Sequence, residues 1–118
     1  MMTNKELKAL RQILALECSE AAEHIGNVST RTWQYWEAGR SAVPDDVASQ
    51  ITDFSNTRDA LIKQRYREFN ATGEPISLDF YMTIDEFELA TGKRNIVMWK
   101  ITNSVAGECL SAGIAEIR

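Results

Sequence analysis

The sequence predicts a mainly α fold with a small β element (α+β), and three observations predict it. Apolar residues recur at three-to-four spacing through residues 4–72, the pattern of amphipathic helices. Gly26, Gly39, Pro44 and the run Thr72-Gly73-Glu74-Pro75 punctuate that pattern at helical lengths. Only beyond Pro75 does a short alternating stretch, Ile76, Leu78 and Phe80, ask for a strand.

Each element follows in order. Thr3 or Asn4 caps a first helix bearing Leu7, Leu10 and Leu14, which Leu16 closes against the next. A second helix runs from Ser19 to Ile25 with Ala21, Ala22 and Ile25 inward. Gly26 is expected to end it as a residue that tolerates positive φ. Ser29 caps a third helix, Thr30 to Ala38, which Gly39 ends. Pro44-Asp45-Asp46 starts a fourth, because proline suits a first turn and carboxylates favour the positive end of the helix dipole. Its apolar series reaches Phe69, with Ser55-Asn56-Thr57 as the place where it would break. Thr83 with Glu86 three later is a capping box for a short helix to Thr91. The apolar run Ile96–Ile101 reads equally as a strand or a helix start; 102–112 reads as helix and 113–118 as a short strand.

Composition narrows the function. A hydrophobic fraction of 44% with 25% charged residues is that of a soluble globular chain, and 118 residues suit one small domain or a domain with an appended element. The net charge of −4 argues against a protein coated in nucleic acid, so the distribution of charge decides. Residues 1–43 balance Lys5, Lys8, Arg11, Arg31 and Arg40 against five glutamates, while residues 44–57 hold only acids. The first third can therefore meet phosphates with one face. Cys18 and Cys109 form no CxxC and have no neighbouring histidine, which excludes a disulfide framework and a zinc site and suits free thiols in a reducing cytoplasm. No apolar stretch approaches the ~18 residues of a membrane span. A cytoplasmic protein without a membrane partner is expected.

No enzyme is expected. His24 is the single histidine and lacks metal or catalytic partners. Asp85, Glu86 and Glu88 sit in the first turns of a short helix, where acids belong in any case, and Asp79 stands apart from them. There is no nucleophile–base pair, metal cluster or phosphate loop, so neither catalytic residue, cofactor nor metal is assigned.

The informative stretch is residues 16–40, LECSEAAEHIGNVSTRTWQYWEAGR. Two short helices meet across a tight glycine-containing turn, with Ala21 and Ala22 small enough for a close crossing. Trp33 and Trp36, three apart, fix the second helix to the core. Its other face is left with Thr30, Arg31, Gln34, Tyr35 and Ala38 in one exposed stripe. Arginine pairs bidentately with guanine O6 and N7, and glutamine with adenine N6 and N7. Ser29 and Thr30 at the helix start offer donors to phosphate. Arg40, just past the helix, and Lys5 or Arg11 on the first helix are candidate phosphate clamps. The candidate DNA-binding residues are thus Ser29, Thr30, Arg31, Gln34, Tyr35 and Arg40.

Glu20-Ala21-Ala22, Gly26, Val28-Ser29, Trp33 and Trp36-Glu37-Ala38-Gly39-Arg40 together resemble the lambda-repressor-like, Xre/Cro-type helix-turn-helix. TNKELKALRQILALECSEAAEHIG with STRTWQYWEAGRSAVPDDV resembles more specifically the YdiL-like proteins and their phage relatives, the anti-CRISPR-associated autorepressors. The close match covers about the first fifty residues; NIVMWKITNSVAGECL is similar but less specific. One departure is Asn27, inserted between Gly26 and Val28 where the general pattern runs from glycine directly to an apolar residue and serine. The resemblance implies a homodimer that binds an inverted repeat in double-stranded DNA, often in its own promoter, and blocks transcription. It implies base contacts at the positions of Arg31 and Gln34, a DNA-binding domain at 1–56 and a dimerisation region at 57–118.

Apolar residues between Ile96 and Leu110 exceed what completing a core requires, and a homodimer interface accounts for the surplus. Two rivals keep the fold. In one, the C-terminal half binds a partner protein, as an antitoxin or adaptor would. In the other, the basic run Arg58, Lys63, Arg65 and Arg67 binds RNA; a solvated helix face is the plainer account of that run.

Overall fold

The computed structural model describes all residues from Met1 to Arg118. It is mainly helical with one small sheet and divides into two compact units, Met1–Asn56 and Thr57–Arg118.

The first unit holds α1 (Asn4–Ile13), α2 (Cys18–Ala21), α3 (Thr30–Glu37) and the start of α4 (Asp45–Thr72). Thr3 caps α1 through a capping box: its hydroxyl accepts from the Glu6 N–H and the Glu6 carboxylate accepts from the Thr3 N–H. The helix ends at Leu14, and Ala15 takes a left-handed conformation with φ 62°. That reversal lets Leu16 donate to the Arg11 carbonyl and turn inward, where it is buried. Leu7, Leu14, Ile25, Trp33, Val47 and Ile51 are essentially excluded from water, and this unit's core is built around them.

The turn between α2 and α3 corrects one expectation. Gly26 does not supply the positive φ; Asn27 does, at φ 51° and ψ 44°. Asparagine is among the few residues with a side chain that visit this region readily. Gly26 is glycine for a different reason: a Cβ there would lie 3.0 Å from Val28 Cγ2 and 3.2 Å from the rings of both Trp33 and Trp36. The residue inserted before Val28 is accommodated by winding. α2 continues as a π-helical turn over Ala22–Gly26, and both Asn27 and Val28 donate to the Ala22 carbonyl. A π turn holds one more residue than an α turn, so it absorbs an insertion without breaking the helix.

α4 runs unbroken through Ser55-Asn56-Thr57 and carries the chain from the first unit into the second. The second unit continues with β1 (Ile76–Leu78), α5 (Ile84–Thr91), α6 (Ile96–Ser111) and β2 (Ala115–Ile117). The undecided segment from Ile96 is helix, capped by Asn95, whose side-chain oxygen accepts from the Met98 N–H. β1 and β2 pair in parallel with Ile76 opposite Ala115 and Leu78 opposite Ile117; α5 and α6 form the crossover that a parallel pair requires. The strand stops at Leu78, so Phe80 lies outside it and is exposed. Tyr81 is tied down instead: its carbonyl accepts from Trp99 Nε1 and Asn103 Nδ2, both at 2.8 Å, and its N–H donates to Asn103 Oδ1.

Candidate nucleic-acid interface

α3 is short, so its placement depends on what holds it. Ser29 caps it, with Oγ accepting from the Thr32 N–H at 3.2 Å. Trp33 is fully buried and Trp36 nearly so, their ring centroids 5.4 Å apart and tilted by 59°. Both rings lie on one side of the helix, which orients the other side outward.

A polar latch that sequence reasoning did not find fixes the far end. The Glu37 carboxylate, 8% exposed, accepts from Arg11 Nε at 2.6 Å, from Arg11 Nη2 at 3.0 Å and from Trp33 Nε1 at 2.5 Å. Arg11 also donates to the Leu16 carbonyl, and Asn4 Nδ2 donates to the Glu37 carbonyl. α1 therefore grips the last turn of α3 through side chain and backbone. Burial pushes the Glu37 carboxyl up, but the hydrogen bonds from Arg11 and Trp33 outweigh it and hold the carboxyl below its ordinary value. The same bond holds the Arg11 guanidinium above its own ordinary value, against the opposing effect of burial. The one acid on α3 is thus neutralised and turned into the fold. The available signal was the four-residue spacing of Trp33 and Glu37, which puts the carboxylate on the indole side. This placement removes Arg11 from the candidate phosphate clamps, because its guanidinium is 12% exposed and already bonded. Lys5 remains exposed on α1.

The structure brings the six candidate residues to one helix and its two ends. Arg31 and Gln34 are exposed, and Thr30 and Tyr35 are half-buried. Ser29 stands exposed at the helix start, and Arg40 is exposed just past its end. The Arg31 and Arg40 guanidinium carbons lie 5.9 and 4.8 Å from the Tyr35 ring centroid. The face combines two cations, an amide and a phenol ring with no carboxylate among them. Such a set can donate to phosphate oxygens and to the major-groove edges of bases.

Other candidate groups have ordinary structural partners. Arg94 pairs with Asp85 at 2.6 Å and Glu88 at 3.2 Å, and Arg118 holds Asp79 through both oxygens. The Glu86 carboxylate accepts from the Met82 N–H. His24 stands beside Glu23 at 3.7 Å. The basic run on α4 is largely spent within the chain. Arg58 is buried and donates to Ser104 and Glu108, Lys63 pairs with Asp59, and Arg65 with Glu68.

Comparison with known proteins gives concordant findings. The Aca2/YdiL-like protein family matches residues 2–116. The Aca2 repressor of Pectobacterium phage ZF40 is 45% identical over 116 residues, covering 98% of this chain and 99% of the relative. The uncharacterized protein YdiL of Escherichia coli (strain K12) is 31% identical over 115 residues, covering 91% of this chain and 92% of the relative.

Proposed function

The chain belongs to the Aca2/YdiL-like family, and from that premise we propose that it is a transcriptional repressor that binds an inverted-repeat operator as a homodimer, in the manner of an autorepressor. The observation that carries the reading is the α3 face: Arg31 and Gln34 exposed three residues apart on a helix whose opposite side is locked by Trp33, Trp36 and the Glu37 latch. A helix held on one side and chemically armed on the other is what entry into a major groove requires. In this reading Arg31 and Gln34 contact base edges, while Ser29, Thr30 and Arg40 meet the phosphate–sugar backbone and Tyr35 stands between the two arginines.

The second unit supports the homodimer. Tyr66, Phe80, Met82, Leu89, Leu110 and Ile117 are all exposed there, Leu89 at 90% and Met82 at 72%. A self-complementary interface would take these side chains out of water; the run between Ile96 and Leu110 adds only Leu110 to them, because Val97, Ile101 and Val105 are buried within the unit itself. Two recognition helices related by a two-fold axis would sit about 34 Å apart and read successive major grooves on one side of the duplex. Occupying a promoter in this way would occlude polymerase. Neither catalysis nor a cofactor enters the account.

Fluorescence anisotropy with duplex DNA from upstream of the gene, a scrambled duplex and a hairpin RNA at matched salt tests the proposal. The expected outcome is tight, salt-sensitive binding to the first probe alone, weakened by about 1–3 kcal/mol in Arg31→Ala. Equal weak binding to every probe contradicts it. A stable complex with a different protein in place of a homodimer would favour the adaptor reading.

A further inference from the structure

We infer that Tyr35 is a positioning residue: its ring is a shared platform that orders Arg31 and Arg40 together, coupling base reading to phosphate anchoring. The inference rests on the DNA-binding reading and extends it to a residue whose work is done before any DNA arrives. Arg31 precedes Tyr35 by four residues, so the two side chains share a side of α3. Arg40 reaches the same ring from beyond the helix. Gly39, at φ +77°, reverses the chain; its N–H donates to the Trp36 carbonyl at 3.2 Å, and the Arg40 N–H donates to the Tyr35 carbonyl at 2.9 Å. Those two bonds make a Schellman turn. The turn ties the Arg40 backbone to the very residue whose ring its guanidinium covers.

Both guanidinium carbons lie within the ~6 Å reach of a cation–π contact, Arg40 at 4.8 Å and Arg31 at 5.9 Å. Tyr35 is half-buried, so its ring is anchored while part of it faces solvent. The two arginines are exposed, and no salt bridge orders either of them. A long side chain already held near its working position gives up less freedom on binding. Losing the ring should therefore loosen two contacts of opposite kinds at once.

The test compares wild type with Tyr35→Phe, Tyr35→Leu, Arg31→Ala and Arg40→Ala in anisotropy titrations against operator and scrambled duplexes across salt. Tyr35→Phe keeps the ring face and should bind within about twofold of wild type. Tyr35→Leu should lose about tenfold in operator affinity and flatten the salt dependence. Added to the Arg31→Ala, Arg40→Ala double variant, it should cost nothing further, because a positioning residue has then nothing to position. An additive loss would mean a direct DNA contact and overturn the proposal. So would a Tyr35→Phe as weak as Tyr35→Leu, or a Tyr35→Leu as tight as wild type.

If Arg31→Ala loses the operator and Tyr35→Leu does not, this inference alone falls. If wild type selects no DNA, the underlying reading falls and takes the inference with it. Proton chemical shifts of the free protein give a check that needs no DNA and no folded Tyr35→Leu. The δ-methylene protons of Arg40, and more weakly those of Arg31, should be shifted upfield by the ring in wild type and Tyr35→Phe. Unshifted protons in wild type would overturn the platform.

Discussion

At the scale of single residues, Glu37 shows how one carboxylate can serve a site it does not touch. It accepts three hydrogen bonds from Arg11 and Trp33 in a nearly water-free position. Its carboxyl is held below the ordinary value of 4.5 despite the upward push of burial. A depressed folded value means that the stabilisation is fully present above the unfolded value and is lost as pH falls through the folded one. Urea midpoints of the wild type should therefore fall as the pH is lowered from about 5 toward 3. Glu37→Gln should be less stable near neutrality and should show a flatter profile across that window. Glu6, bonded to the Thr3 backbone, and Asp79, bonded to Arg118, titrate in the same direction, but both are exposed and leave only a small residual slope. An unchanged slope in Glu37→Gln would contradict the latch. Arg11→Ala leaves the carboxylate buried without its ion pair and should cost about 3 kcal/mol.

At the scale of elements, the turn between α2 and α3 decides where the exposed face of α3 points. Gly26 is held to glycine by the two indole rings and Val28, so Gly26→Ala should overpack the joint. The ~1 kcal/mol that alanine gains in helix propensity should not cover a packing strain of about 1–3 kcal/mol, because Trp33 is fully buried and cannot yield. A lower melting temperature together with weaker operator binding is expected; a rise in melting temperature would show that the joint is loose. The helices themselves were legible from spacing and caps. The reason for Gly26 was not, because a glycine demanded by a neighbouring ring looks the same in sequence as one demanded by positive φ. The apolar run from Ile96 was ambiguous for a physical reason as well. Val97 and Ile101 are buried while Met98 and Trp99 are half-buried, so neither period stands out. Helix prevails there with an Asn95 cap and with Trp99 and Asn103, four apart, both bonding to the Tyr81 carbonyl. Alternation continues to Phe80 and predicts strand there, but β1 ends where its three-residue partner ends.

At the scale of the whole molecule, the sequence divides its labour unevenly between legible and hidden features. The stripe Thr30, Arg31, Gln34 and Tyr35 could be read directly, because helical periodicity sorts buried tryptophans from exposed polar groups within a single element. The Arg11–Glu37 pair could not, since its partners are 26 residues apart and nothing local joins them. The Tyr35 platform was equally hidden, because it depends on the reversal at Gly39. The proposed homodimer gives a use to apolar side chains that a monomer would leave in water. It also makes the central claim symmetric: each protomer should read the same bases in each half-site. Selection of bound sequences from a random duplex pool, with wild type and Arg31→Ala in parallel, tests that claim most directly. Wild type should enrich an inverted repeat, and Arg31→Ala should lose preference at one matching position in each half while keeping it elsewhere. Enrichment of no common sequence, or a uniform loss of affinity in Arg31→Ala with its preferences intact, would contradict it.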